Sequence, residues 1–258
     1  MRVNWLLASL AAGALLAACG GAMSEQPSSA PAASPELDED GCPQRAFPLA
    51  EPATTARRPI DLAPFRAALA GLTAERRQAL DGLLLEASLA DIQTALAGGR
   101  TTSAELVVYY IDRIARYDAG GLNAVMALNP QALAMAAALD AERAAAGPRG
   151  PLHGIPVLLK DNIATGGAYA LRDWRPQRDA FLVARLREAG AVVLGKTNLT
   201  EWANYTDPCL PNGYSAVGGQ TNSPYGPFDP SGSSTGSARA AAANLAPVSV
   251  GRETQGSI

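Results

Sequence analysis

Histidine and lysine are nearly absent from this chain of 258 residues, which holds one histidine, His153, and two lysines, Lys160 and Lys196. No group of histidine, cysteine and carboxylate residues has the spacing of metal ligands, so the sequence predicts neither a metal nor an organic cofactor. Blocks of basic residues are missing as well, and the formal net charge is −3. This charge pattern argues against a nucleic-acid partner.

Long apolar runs are missing too, apart from residues 5–16 near the N-terminus. This run follows Arg2 and is too short to span a bilayer comfortably, as in signal peptides. Small residues then precede Cys19, a pattern similar to the lipobox of bacterial lipoproteins, in which the cysteine is lipidated. We therefore expect a lipoprotein-type signal peptide over 1–19 and an exported protein, either anchored by Cys19 on the periplasmic side of the cell envelope or secreted. An ordinary secretory signal peptide is the alternative.

Cysteine is also scarce, because only Cys42 and Cys209 remain after Cys19. An oxidising compartment would permit a disulfide between them, but the sequence equally allows two free thiols. Residues 20–60 are rich in proline, alanine, serine and acidic residues, which predicts a disordered tether. Residues 61–258 are predicted to form the folded domain.

The periodicity of apolar residues within 61–258 alternates between helical and strand patterns. Thr102 with Glu105 three residues later forms a capping-box pattern at the start of one helix. Such alternation predicts an α/β sheet with its active groups at strand ends. Helices are expected over 61–72, 73–84, 88–97, 102–114, 129–147, 179–189 and 237–244, and strands over 124–128, 157–159, 191–194 and 248–250.

Two turns rich in serine and glycine, 231–237 and 251–257, flank the last predicted helix and strand. Together they can bring two hydroxyl groups side by side, but a serine needs a base to become a nucleophile. Lys160 ends an apolar run and is followed by a polar turn, which predicts a lysine at the end of a buried strand. Burial lowers the pKa of a lysine and makes its neutral amine accessible.

Four ordered motifs, GIPVLLKDN (154–162), GKTN (195–198), SGSSTGS (231–237) and GRETQGSI (251–258), resemble the amidase signature family. The resemblance implies an α/β fold with a mixed sheet surrounded by helices, and amide hydrolysis by a Ser–cisSer–Lys triad. It assigns Lys160 as the base, Ser233 as the bridging serine after a cis peptide bond, and Ser257 as the nucleophile. A small amide is then the expected substrate, and Thr254, Gln255 and Gly256 are expected to form the oxyanion turn.

The sequence departs from the family pattern in three places. Family members continue well beyond the nucleophile, so 61–258 is expected to be the N-terminal portion of an amidase domain, with a fold incomplete at the C-terminus. The segment between Lys160 and Asp179 is short, and Arg252 stands where the family usually has threonine. A bulky cation beside the oxyanion turn would change its packing and its field.

Two other interpretations remain open. One is a catalytically inactive, lipid-anchored remnant of the same fold. The other is an esterase, because residues 232–236 also fit the G-x-S-x-G nucleophile elbow with Ser234 at its centre. That elbow requires a histidine after the serine, and His153 lies before it. His153 and Lys196 are therefore expected to be structural, whereas Trp202, Asn204 and the stretch 218–222 are expected to shape the substrate cleft.

Overall fold

A computed structural model describes residues 36–37, 41–44, 59–164, 176–205, 207, 209–253 and 256–257. The predicted signal peptide with Cys19, most of the predicted tether, Thr254 and Gln255 lie outside these ranges. The chain divides into Met1–Glu36, of which Glu36 alone is described, and Leu37–Ile258. All elements below belong to the second unit.

The described helices and strands follow one another in the α/β order that the sequence predicts. The helices are α1 Arg66–Gly71, α2 Ala74–Leu84, α3 Leu89–Ala97, α4 Ser103–Arg113, α5 Ala132–Ala146, α6 Phe181–Glu188 and α7 Thr235–Ala242. The strands are β1 Val125–Leu128, β2 Pro156–Lys160, β3 Val192–Thr197, β4 Tyr214–Ser215, β5 Gly219–Gln220 and β6 Val248–Val250. Short 3-10 helices occupy Ala63–Phe65 and Glu201–Asn204, and a π-helical segment, Ile114–Leu122, continues α4.

The main sheet is mixed, with four described strands in the order β1-β3-β2-β6. Strand β2 runs parallel to both β3 and β6, and β1 runs antiparallel to β3. Parallel neighbours end on the same side of a sheet, and polar groups at such ends are a common place for a site. Lys160 is the last residue of β2 and therefore lies at this edge.

Helices cover both faces of the sheet, which explains why all five residues of β2 are buried. Leu158 packs into the larger core, which includes side chains of α1 to α5. Its neighbours Val157 and Leu159 point the other way, into a smaller core with Val183 and Leu186 of α6. A strand buried on both faces is a continuous apolar run rather than an alternating one, and its terminal lysine is drawn into the interior.

The starts of α3 and α4 follow capping signals in the sequence. Ser88 and Asp91 form a complete capping box at α3. At α4 only half of the predicted box forms, because the Thr102 hydroxyl accepts from the Glu105 N–H at 3.1 Å but the Glu105 carboxylate binds Arg76 instead. A long-range ion pair therefore replaces the second local bond, which corrects the expectation of a reciprocal box.

The remaining differences concern short elements. Strand β3 runs to Thr197, three residues past its predicted end, because Lys196 and Thr197 pair with both β1 and β2. The two-residue strands β4 and β5 carry too few residues for a period to be seen and were not predicted. No helix within the described ranges is long and apolar enough to cross a membrane.

Candidate active site

Lys160 lies in the interior at the end of β2, with 1% of its surface exposed. Its Nζ donates to Ser233 Oγ at 2.8 Å and to Ser234 Oγ at 3.0 Å. A third, longer contact of 3.3 Å reaches the carbonyl oxygen of Arg252. The structure therefore brings the predicted base and the predicted bridging serine into direct hydrogen-bond contact.

The surroundings of Lys160 favour its neutral amine. Burial lowers the pKa of the Lys160 ammonium to about 8, and the positive charge of Arg252 contributes in the same direction. The three acceptors of Lys160 Nζ are neutral oxygens, and no carboxylate among the described residues forms an ion pair with this amine. A lysine with a pKa near the working pH can act as a general base.

Ser234, which the sequence analysis considered only as the nucleophile of the esterase interpretation, contacts both Lys160 and the loop that contains Ser257. Its hydroxyl accepts from Lys160 Nζ and from the Arg252 N–H at 3.2 Å, and donates to the Arg252 carbonyl at 3.0 Å. Its own N–H donates to the Ser257 carbonyl oxygen at 2.9 Å. Through Ser234, the loop that contains the predicted nucleophile is held against Lys160.

Ser257 is buried, with 9% of its surface exposed, and it joins the cluster through its backbone. Within the described residues, its hydroxyl makes no hydrogen bond to Lys160 or Ser233. The neighbouring Gly256 has a left-handed φ of +62°, and its N–H donates to Glu253 Oε1 at 2.9 Å. Thr254 and Gln255 lie outside the described residues, so the other predicted oxyanion donors are not located.

Close packing of α7 against the sheet fixes the position of Ser233. A Cβ atom added to Gly236 would lie 2.3 Å from the Asn198 carbonyl oxygen and 2.5 Å from that of Ala124, which side chains do not tolerate. The Ser233 carbonyl accepts from the Thr200 N–H at 3.2 Å. Gly236 therefore allows the serine-rich turn to lie directly on the chain that follows β3.

Lys196 lies in β3, beside β2, and is also buried. Its Nζ donates to the carbonyl oxygen of Ile163 at 2.5 Å and, more weakly, to that of Lys160 at 3.4 Å. Burial lowers the pKa of Lys196 to about 8, against the opposing effect of Asp161 and Asp179. These contacts close the turn after β2 and agree with the structural role expected for this second lysine.

His153 is fully buried and both of its ring nitrogens have backbone partners. Nδ1 accepts from the Arg149 N–H at 3.2 Å, and Nε2 lies 2.9 Å from the Leu139 carbonyl oxygen. A histidine occupied on both sides has no lone pair left to take a proton from Ser234. The arrangement supports a structural histidine and disfavours the esterase interpretation.

The predicted wall residues lie on the segment after β3. Trp202 is 58% exposed, and Trp202 and Asn204 both adopt left-handed φ angles, of 49° and 62°. The stretch 218–222 is held by Asn198, whose Nδ2 donates to the Gly219 carbonyl at 2.9 Å and to Thr221 Oγ1 at 3.0 Å. Asn198 thus organises the neighbourhood of the site, a role that the sequence did not indicate.

Comparison with known proteins identifies the family of the chain. The family model Amidase matches residues 105–258 of the chain. The chain belongs to the amidase family. The crystal structure of an amidase family protein from Bacillus anthracis is 41% identical with a TM-score of 0.71, and the match covers 76% of this chain and 41% of that one. The expected amidase-signature fold is confirmed.

Two further relatives place the chain within the family. A peptide amidase from Stenotrophomonas maltophilia is 51% identical with a TM-score of 0.60, over 63% of this chain and 35% of that structure. A Schizosaccharomyces pombe protein named as an amidase is 42% identical over 183 residues, which is 68% of this chain and 31% of that protein. The chain thus spans about a third of the length of the curated relatives it matches.

Proposed function

We propose that this amidase-family protein hydrolyses the C–N bond of a small carboxylic amide, with Ser257 as nucleophile, Ser233 as bridge and Lys160 as base. One observation carries the proposal, namely the buried contact of 2.8 Å between Lys160 Nζ and Ser233 Oγ. Family membership and the backbone bond that holds Ser257 beside Ser234 support the same assignment.

In the proposed reaction, neutral Lys160 accepts the proton of Ser233 while Ser233 accepts that of Ser257. The Ser257 Oγ forms a bond to the amide carbon, and the tetrahedral intermediate then loses its C–N bond. The departing amine takes a proton back through the same relay. Water, deprotonated by that relay, cleaves the acyl-enzyme and releases the carboxylic acid.

Backbone N–H groups of the turn 254–257 are proposed to hold the oxyanion. The Gly256 N–H is bonded to Glu253 Oε1 in the structure. Glu253 must therefore release this donor when substrate binds, or the oxyanion uses the other N–H groups of the turn. Because Glu253 is exposed, its side chain can move into solvent and release the Gly256 N–H during the reaction.

Peptide amides are a specific candidate for the substrate. The chain is 51% identical to the peptide amidase of Stenotrophomonas maltophilia over the matched region. The exposed aromatic side chain of Trp202 lies in the segment that continues from β3. Aromatic surfaces of this kind can pack against a peptide, which favours a substrate larger than a simple aliphatic amide.

We further propose that the protein is exported and anchored by a lipid at Cys19. Support comes from a different part of the chain, where Cys42 and Cys209 form a disulfide. Disulfides persist in oxidising compartments such as the bacterial periplasm and are rare in the cytosol. Mass spectrometry of Cys19-containing peptides from the envelope fraction tests the anchor directly.

A fluorophosphonate probe tests the catalytic assignment. We expect labelling at Ser257 that is lost in Ser257→Ala and strongly reduced in Lys160→Met, whereas Ser223→Ala, at a half-buried serine of the loop after β5, serves as a matched control. Labelling at Ser234 would support the esterase instead. Absence of labelling in a folded chain, together with no release of ammonia from a panel of peptide amides, would support the inactive remnant.

A further inference from the structure

Two basic side chains, those of Lys160 and Arg252, belong to the candidate site. Lys160 binds two hydroxyl groups and a carbonyl oxygen, and the carbonyl belongs to Arg252. Among the described residues, no carboxylate forms an ion pair with Lys160 or Arg252. Because its pKa is about 8, Lys160 is mostly charged at pH 7. No ion pair within the described part of the chain therefore neutralises either of these two basic groups.

Arg252 is fixed to the site by its backbone and leaves its side chain in solvent. Its N–H and its carbonyl both bond to the hydroxyl of Ser234, at 3.2 and 3.0 Å, and the residue is exposed. The same Ser234 binds the Ser257 carbonyl through its N–H. Ser234 thus holds the backbone of both Arg252 and the predicted nucleophile, Ser257.

The nearest acidic residue in the chain, Glu253, does not neutralise this arginine. Its Oε1 accepts the Gly256 N–H at 2.9 Å, and no ion pair between Glu253 and Arg252 is formed among the described residues. The guanidinium is therefore available to a carboxylate from outside. Arginine suits this task, since its planar donors match a carboxylate in two-point contact.

We propose that Arg252 is a specificity-determining residue that selects amides carrying a carboxylate close to the scissile C–N bond. This inference rests on the proposed function and narrows its substrate class to anionic amides. The carboxylate binds the exposed guanidinium while the amide carbonyl lies against Ser257. An exposed charge pair of this kind changes binding by about three- to fivefold, and salt weakens it.

The experiment compares paired compounds that differ in charge. Glutaramate carries a carboxylate on the acyl side of the amide, and pentanamide lacks it. N-Acetylglycine carries a carboxylate on the amine side, and N-propylacetamide lacks it. Both kcat/KM and binding, measured by ligand-observed NMR titration, are determined on the full chain and on Arg252→Gln and Arg252→Lys. Arg66→Gln, at an exposed arginine of α1, is the matched control.

We expect about a three- to fivefold preference for the charged member of at least one pair. The preference should vanish in Arg252→Gln and in 0.5 M salt, and persist in Arg252→Lys and Arg66→Gln. Charge-dependent binding that Arg252→Gln abolishes, without turnover, supports this inference while overturning the proposed hydrolysis. Turnover with no charge preference, or with a preference that Arg252→Gln leaves intact, overturns the inference and leaves the amidase assignment standing. Absence of charge-dependent binding and of any charge preference in turnover overturns the inference, whereas the proposed hydrolysis is decided separately by the probe and the panel of peptide amides.

Discussion

The N–H of Ser234 donates to the carbonyl oxygen of Ser257 at 2.9 Å, across 23 positions of the chain (257 − 234). The hydroxyl of the same serine accepts from Lys160 Nζ at 3.0 Å. Ser234 therefore links the predicted base to the predicted nucleophile loop without itself belonging to the proposed relay. Its two groups have separate tasks, because the hydroxyl holds Arg252 and Lys160 while the backbone holds Ser257.

Removal of the Ser234 hydroxyl should loosen the nucleophile loop. In Ser234→Ala the Arg252 N–H loses its partner, the Arg252 carbonyl keeps only its longer contact with Lys160, and Lys160 loses one of its acceptors. Unsatisfied buried polar groups cost about 1–3 kcal/mol, so we expect kcat/KM to fall about fivefold or more and the unfolding midpoint to drop. The measurements are steady-state kinetics and urea denaturation.

Ser231→Gly is the control for this change. Ser231 is exposed in the same loop and has a φ of +56°, which glycine adopts freely. We expect it to match the parent in both measurements. If Ser234→Ala behaves like Ser231→Gly, the connecting role of Ser234 is wrong.

The titration of Lys160 can be followed without catalysis, because the chain has only two lysines. Protein labelled with 13C-lysine should show both ε-carbons titrating near pH 8, with Lys196→Arg assigning the remaining signal to Lys160. A lowered pKa means that the neutral base is populated above about pH 8. The rate of amide hydrolysis should therefore rise with pH through this value.

The variant Arg252→Gln should change the pH at which Lys160 titrates. The charge of Arg252 lowers the pKa of Lys160, so its removal should raise that pKa and move the rising limb of kcat/KM to higher pH. Lys196 and Asp161 are also charged and lie at the turn after β2, and neither residue changes in this variant. A Lys160 signal that titrates at the same pH in both proteins would contradict the proposed coupling.

Much of the site could be predicted from local sequence. Lys160 follows an unbroken apolar run, and a strand buried on both faces must carry its last residue inward. Ser233 and Ser257 were assigned from the resemblance of their two turns to the motifs of the amidase signature family. Each of these patterns involves only a few neighbouring residues, so each can be recognised from the sequence alone.

The contacts that tie these motifs together were not predictable in this way. Ser233 and Ser234 are adjacent serines, and only the pairing of β6 with β2 brings Arg252 onto the second of them. Asn198 belongs to the GKTN motif, but nothing in that motif shows that its side chain donates to Gly213, just before β4, and to Gly219, at the start of β5. Long-range packing decides such roles.

Gly236 should be irreplaceable, although alanine is the better helix former at most positions. The added methyl group would lie 2.3–2.5 Å from backbone atoms of Asn198 and Ala124, so α7 would have to move. We expect Gly236→Ala to cost about 1–3 kcal/mol of unfolding free energy or more and to displace Ser233. Gly82→Ala in α2 has no atom within 4 Å of the added Cβ, and should stabilise by about 0.5–1 kcal/mol. Urea denaturation compares the two variants, and equal effects would contradict the close approach.

The Cys42–Cys209 disulfide joins positions 167 residues apart, and thereby fastens the segment before the domain to the loop that precedes β4. Closure of so long a loop restricts the unfolded chain, and we expect the double variant Cys42→Ala/Cys209→Ala to lose about 2–4 kcal/mol of unfolding free energy. Cys19→Ser, which leaves the pair intact, should match the parent in denaturation. Thiol titration of the Cys19→Ser protein, purified without reductant, should detect no free cysteine. Two reactive thiols in that sample would show that the bond does not form.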